Sequence, residues 1–311
     1  ADNNLVNENA LRPLITLISD EDLYVKKNAL TAIGAYAENR IVNENALESL
    51  LGLLREENSE VVQNTTFVVS RYAMNGLVDQ RALNSLIKLL ERGEDITREN
   101  ATYSIATFSE KKGVTDKNAL EPLIDLLGDK NIVVRMNASY AIASYAGKGI
   151  VSREALNSLI GLLGDASFVA RINSSLALAW YAEKRIVSPE CIEPLIMLLG
   201  DENNVVRSNA SLALARYAEN GVFDEKAVEP LADLLKDKSS SVRSRAALAL
   251  ARYAEKNMIS ETALKDLVEL LKDEASITLI NTALALTFYA EKDKIDEKAL
   301  DRLIDLLDNE N

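Results

Sequence analysis

One segment, with small changes, is written eight times along this chain, and that repetition limits the fold more than any other feature. Counted from the Ala or Cys that opens each "ALxxLIxLL" segment, units start at residues 10, 46, 82, 119, 155, 191, 227 and 263, with partial units at 1–9 and 299–311. The step is 36 residues except for one of 37, where "TDKN" at 115–118 replaces a three-residue junction. A period of this length, with no change of composition along the way, predicts a stack of like units forming one continuous domain over 1–311.

Each unit reads as two helices. The first is short, runs through "PLIxLL" and opens at a polar cap; the caps are Asn7, Asn43, Asp79, Thr115, Ser152, Ser188, Asp224, Ser260 and Asp296. An apolar residue before the cap, such as Val42, Val187 or Phe223, pairs in spacing with one five positions later, the pattern of a hydrophobic staple. The second helix spans about 16 residues, as in 204–219, and its Val206, Ala210, Ala213, Leu214 and Tyr217 recur with helical period. The aromatic at its end (Tyr36, Tyr72, Phe108, Tyr145, Tyr181, Tyr217, Tyr253, Tyr289) is expected in the core, its hydroxyl reaching a loop.

These units resemble armadillo and HEAT repeats from Leu5 to Leu307. "CIEPLIMLLGDENNVVRSNASLALARYAEN" is similar to the last two helices of an armadillo repeat. HEAT-like character shows in an acid and a base six residues apart: Asp129 with Arg135, Asp165 with Arg171, Asp201 with Arg207 and Asp237 with Arg243. The resemblance implies an all-α, right-handed α-solenoid whose longer helices line a concave groove, with a ladder of such pairs between neighbouring units. Val62 and Leu279 lack the base and Arg92 replaces the acid, so an interrupted, largely exposed set is expected, worth about 0–1 kcal/mol per pair and setting the turn between helices. The groove Asn and Trp of armadillo peptide binders are absent: their positions hold Ala35, Arg71, Thr107, Ser144, Trp180, Arg216, Arg252 and Phe288, and Thr31, Phe67, Tyr103, Tyr140, Leu176, Leu212, Leu248 and Leu284. Nuclear-signal recognition therefore does not carry over.

A different Asn column occupies that face: Asn28, Asn64, Asn100, Asn137, Asn173, Asn209, Arg245 and Asn281. Asn209, Leu212 and Arg216, at i, i+3 and i+7, share one helix face away from the core stripe. A carboxamide offers a donor and an acceptor, which suits the backbone of an extended ligand; the same groups also suit a ladder between units. Both readings stand at this point. Phe67, Tyr103, Tyr140 and Trp180 add aromatic anchors and Arg71, Arg216, Arg245 and Arg252 add two basic stations, the residue types that dominate binding hot spots. Five of the Asn read as N-x-S/T, but they fall inside helices, where a glycan has no room.

Composition narrows the function. The chain has no His, one Cys, and neither a Gly-rich phosphate loop nor a metal-ligand cluster, so no enzyme activity and no cofactor is expected. Cys191 stands where other units carry Ala and is expected to be a small buried residue, consistent with a reducing, cytoplasmic setting. A net charge of −13 disfavours nucleic acid, and no apolar run is long enough for a membrane span. The expected partner is a protein or extended peptide, acidic ones included. The alternative is an assembly module that associates through its edges or ends, since "ADNNLVNEN" resembles the tail of a missing unit and "ALDRLIDLLDNEN" a lone first helix.

Overall fold

In the computed structural model, residues 8–77, 80–295 and 301 are described, and every regular element among them is helical. Contacts group the chain into two compact units, 1–152 and 153–311. In the first, α1 (Glu8–Leu17), α3 (Glu44–Leu53), α5 (Gln80–Arg92) and α7 (Leu120–Asp125) are the short helices, and α2 (Leu23–Glu38), α4 (Ser59–Met74), α6 (Asp95–Lys112) and α8 (Ile132–Gly147) the long ones. In the second, α9 (Ala155–Leu162), α11 (Ile192–Met197), α13 (Val228–Asp233) and α15 (Ala263–Glu269) alternate with α10 (Phe168–Glu183), α12 (Asn204–Glu219), α14 (Ser240–Glu255) and α16 (Ser276–Glu291). Within each unit every long helix packs on the next long helix and on its own short partner, as in a solenoid. The expected span 204–219 is reproduced to the residue.

The short helices differ from expectation most clearly in three repeats that carry proline at their fourth position. In the three repeats with Pro122, Pro194 or Pro230, the element opens with a 3₁₀ turn and becomes α-helical only at Leu120, Ile192 or Val228. Starting later puts the proline in the first turn, where its missing N–H costs nothing, but α1 (Glu8–Leu17) holds Pro13, at the same position of its unit, inside the helix, so proline alone does not set the start. The cap of the 3₁₀ turn that leads into α7 is Asp116 rather than Thr115: Asp116 is extended (φ −136°) and accepts the Asn118 N–H at 2.9 Å. Asn43, Asp224 and Ser260 accept backbone N–H groups as expected. Asn7, Asp79 and Asp296 lie outside the described residues.

The aromatic column forms the core from Tyr72 onward, whereas Tyr36, expected there too, is only half-buried. Tyr72, Phe108, Tyr145, Tyr181, Tyr217 and Tyr253 are fully buried and Tyr289 nearly so. The Tyr289 hydroxyl donates to the Ser260 carbonyl at 3.1 Å, Tyr145 accepts the Asp116 N–H at 3.2 Å, and Tyr217 donates to Cys191 Sγ at 2.9 Å. Burial raises the phenols: Tyr145, Tyr253 and Tyr289 are pushed up to about 12, and the Cys191 thiol to about 11. A folded-state value above the unfolded one means stability is intact below pH 10 and is lost as pH rises from about 10 to 12, by about 1.4 kcal/mol per pH unit for each such tyrosine. Alkaline titration should therefore show tyrosinate absorbance appearing together with loss of helical circular dichroism; ionisation near pH 10 with helicity intact would contradict it.

Every long helix ends on a left-handed residue: Gly76, Gly113, Gly149 and Gly221, but also Arg40, Arg185, Asn257 and Asp293. Arg185, at φ 60°, carries the Cβ penalty that glycine avoids. Arg185→Gly should raise the unfolding free energy by about 1 kcal/mol in urea denaturation; an unchanged or lower midpoint would contradict this.

The acid–base pairs are neither exposed nor confined to one turn. Arg171 Nη1 donates to the Asp165 carbonyl of its own repeat at 2.9 Å, while Nε donates to Asp201 Oδ2 of the next at 2.7 Å. Arg207 does the same with the Asp201 carbonyl and Asp237, and Arg243 with the Asp237 carbonyl and Asp273. The Asp side chains are only 4–8% exposed. In the first unit Lys26–Glu56 (2.8 Å) and Arg98–Asp129 (3.0 Å) are rungs that the six-residue spacing alone does not show. The second unit's ladder is continuous over the three rungs from Arg171 to Asp273.

Candidate functional site

The long helices bring the expected residues onto one face of each unit, but they give those residues different duties. In the Asn column, Asn137 Nδ2 donates to the Glu99 carbonyl at 3.0 Å, Asn209 to the Ile172 carbonyl at 3.1 Å and Asn281 to the Ser244 carbonyl at 3.0 Å. Each reaches the preceding long helix of its unit, so these amides build a ladder between repeats. Asn173 is also buried, whereas Asn28, Asn64 and Asn100 are exposed or half-exposed and make no side-chain hydrogen bond among the described residues. A second ladder was not read from the sequence. Asn75 joins the Ala37 and Arg71 carbonyls, and Asn220 the Ala182 and Arg216 carbonyls, at 2.8–2.9 Å. The signal was the Asn following "YAE" or "YAM" at helix ends.

The arginines also have partners that the notion of basic stations leaves out. Arg216 contacts Glu183 at 3.6 Å and Glu219 at 3.2 Å, and Arg252 contacts Glu219 at 2.8 Å and Glu255 at 3.8 Å. The glutamates closing "YAE" thus form a zipper with the arginines three residues before them and one repeat on. Arg71 Nε donates to Glu38 at 3.2 Å and its guanidinium stacks over the Phe67 ring at 4.5 Å. That ring lies against α2 because residue 34 is glycine: a Cβ there would come within 2.9 Å of it. Arg245 is the exception on this face, bonding through Nη1 to the neutral Asn209 Oδ1 at 2.5 Å.

In the first unit these groups border a cleft of ≈ 710 Å³ across the C-terminal halves of α2, α4, α6 and α8. Its walls are Arg71, Met74, Tyr103, Tyr140, Glu38 and Glu110, with Arg40, Lys111, Thr107, Asn75 and Ala37 completing it. The Tyr140 hydroxyl is held by Glu110, which raises its pKa beyond the burial effect that acts first. The volume is in the range of ligand sites, and the lining is more polar than apolar, with Met74, Tyr103 and Tyr140 set among charges of both signs. Phe67 stands behind Arg71, and Trp180 is half-buried on α10 in the second unit. Among the described residues no group of His, Cys, Asp and Glu is arranged to hold a metal, and no helix is long and apolar enough to cross a membrane.

A family model of HEAT repeats matches residues 158–251, 192–287 and 228–311 in overlapping windows. Residues 3–113 match the family described as non-SMC mitotic condensation complex subunit 1. No curated protein matches the chain. Residues 158–311 belong to the HEAT-like repeat family, and both matched families point to a scaffold for protein interaction or assembly.

Proposed function

We infer that the chain is a non-enzymatic scaffold that binds an extended peptide, or the edge of a partner, along the exposed face of its long helices. The observation that supports this most directly is the cleft between Arg71, Met74, Tyr103 and Tyr140. It offers groups already ordered before binding, because Arg71 is fixed by Phe67 and Glu38, and Tyr140 by Glu110. Asn137 presents this face with one group spent, its amide nitrogen held by the neighbouring helix, whereas the buried Asn209 has both its nitrogen and its oxygen engaged. The Asn137 Oδ1 still serves as an acceptor for a ligand N–H, and the half-exposed Asn64 and Asn100 retain both groups.

The test is binding of peptides selected on the intact chain from a random library. Tyr103→Ala combined with Arg71→Ala removes anchor and cation at the rim and should weaken binding by about 10- to 100-fold with the fold retained. Unchanged affinity would reject the cleft. Assembly through an edge is a second reading, favoured by the match of residues 3–113 to a complex subunit and by Tyr24, Ile96 and Ile132 exposed at the starts of long helices. Light scattering across concentration separates it. A cytoplasmic location belongs to the first reading; the description of the matched subunit as mitotic favours a nuclear one, and fractionation decides.

A further inference from the structure

We propose that Arg245 is a carboxylate-reading position on the second unit, taking an Asp or Glu side chain of the bound polypeptide. The inference rests on the peptide-binding reading and adds to it the chemical class of one ligand residue and its place.

Arg245 breaks the pattern of its own column. The neighbouring repeats carry Asn209 and Asn281, whose amides bond the preceding helix. An Asn at 245 would face the Ser208 carbonyl as Asn281 faces that of Ser244. A cation here is the less stable choice, because burial disfavours its charge and pulls the guanidinium below its ordinary pKa. Positions where the local rule for stability is broken without a gain in packing are where function is to be sought.

The hydrogen bonding points the same way. A guanidinium has five N–H donors, and among the described residues Arg245 uses one, on a neutral amide oxygen. Arg71, Arg216 and Arg252 each have a carboxylate within 3.6 Å, whereas Arg245 has none among the described residues. The one group it meets, Asn209, is neutral, and so is its chain neighbour Ser244. One half-buried cation with a free fork matches one carboxylate in charge and shape. A phosphate dianion needs a second cation, and the arginines along this face, Arg216 and Arg252, are already committed to Glu183, Glu219 and Glu255.

Two measurements on the full chain test this. With ¹⁵N-arginine labelling, and Arg245→Asn used to assign the resonance, sodium acetate at constant ionic strength should shift Arg245 Nε saturably and leave Arg216 and Arg252 in place. Equal, unsaturable shifts at all three, or tighter binding of inorganic phosphate than of acetate, would overturn the proposal. For peptides selected on the native chain, replacing one Glu or Asp with Gln or Asn should cost about tenfold in affinity with native protein and under about twofold with Arg245→Asn, since a charged hydrogen bond is at stake. Equal losses in both proteins would overturn the proposal and leave the peptide reading standing. Saturable acetate binding at Arg245 without any selected peptide would support the carboxylate site and reject the peptide reading. Arg245→Asn restores the residue of the adjoining repeats, so the variant is expected to fold.

Discussion

Arg207→Met should lower the unfolding free energy by about 3 kcal/mol. The guanidinium is shared by two repeats: it caps the turn of its own through the Asp201 carbonyl at 2.7 Å and holds Asp237 of the next at 2.8 Å. Met keeps the stem but leaves the Asp237 carboxylate, 8% exposed, with only the Ser239 N–H at 2.8 Å among the described residues. Breaking such a pair is costly because the remaining charge stays desolvated, whereas a solvated ion pair contributes about 0–1 kcal/mol. Arg216→Met, which removes a half-exposed zipper pair, supplies the contrast and should cost under about 1 kcal/mol. Urea unfolding followed by circular dichroism measures both. Equal losses would show that the ladder is no stronger than a surface pair.

Asn209→Ala should cost about 2 kcal/mol. It deletes the bond to the Ile172 carbonyl and strips Arg245 of its one partner among the described residues, so a half-buried cation loses its acceptor. Asn64→Ala, at the same register in the first unit but without an inter-repeat bond, should stay within about 0.5 kcal/mol. If Asn64→Ala were as damaging, the column would owe its stabilising effect to something other than the ladder.

The helices were legible because each repeat states its period, its caps and its aromatic anchor together, and all agree with a buried long helix. The late start of α7, α11 and α13 accompanies fourth-position prolines, but α1 carries Pro13 at that position inside its helix, so the proline by itself does not signal the start. What periodicity does not carry is the partner of a polar side chain. Asn209 and Asn64 share a register, yet one spans to a neighbouring helix and the other does not. The glutamates of "YAE" sit three residues beyond Arg216 and Arg252 on the same helix, and a reading by columns counted the arginines without their neutralising partners. Phe67 could be recognised as an anchor, but not its seat on Gly34, because that contact joins residues 33 apart in the chain.

The claim that the long-helix face of the first unit receives an extended peptide is tested most directly by photo-crosslinking. A peptide selected on the intact chain, carrying a photoreactive phenylalanine at its anchor position, is irradiated with the protein and the adducts are mapped by mass spectrometry. The account predicts adducts at Met74, Tyr103 and Tyr140. Adducts confined to Tyr24, Ile96 and Ile132, at the starts of the long helices, would contradict it and place the interaction on the edge instead.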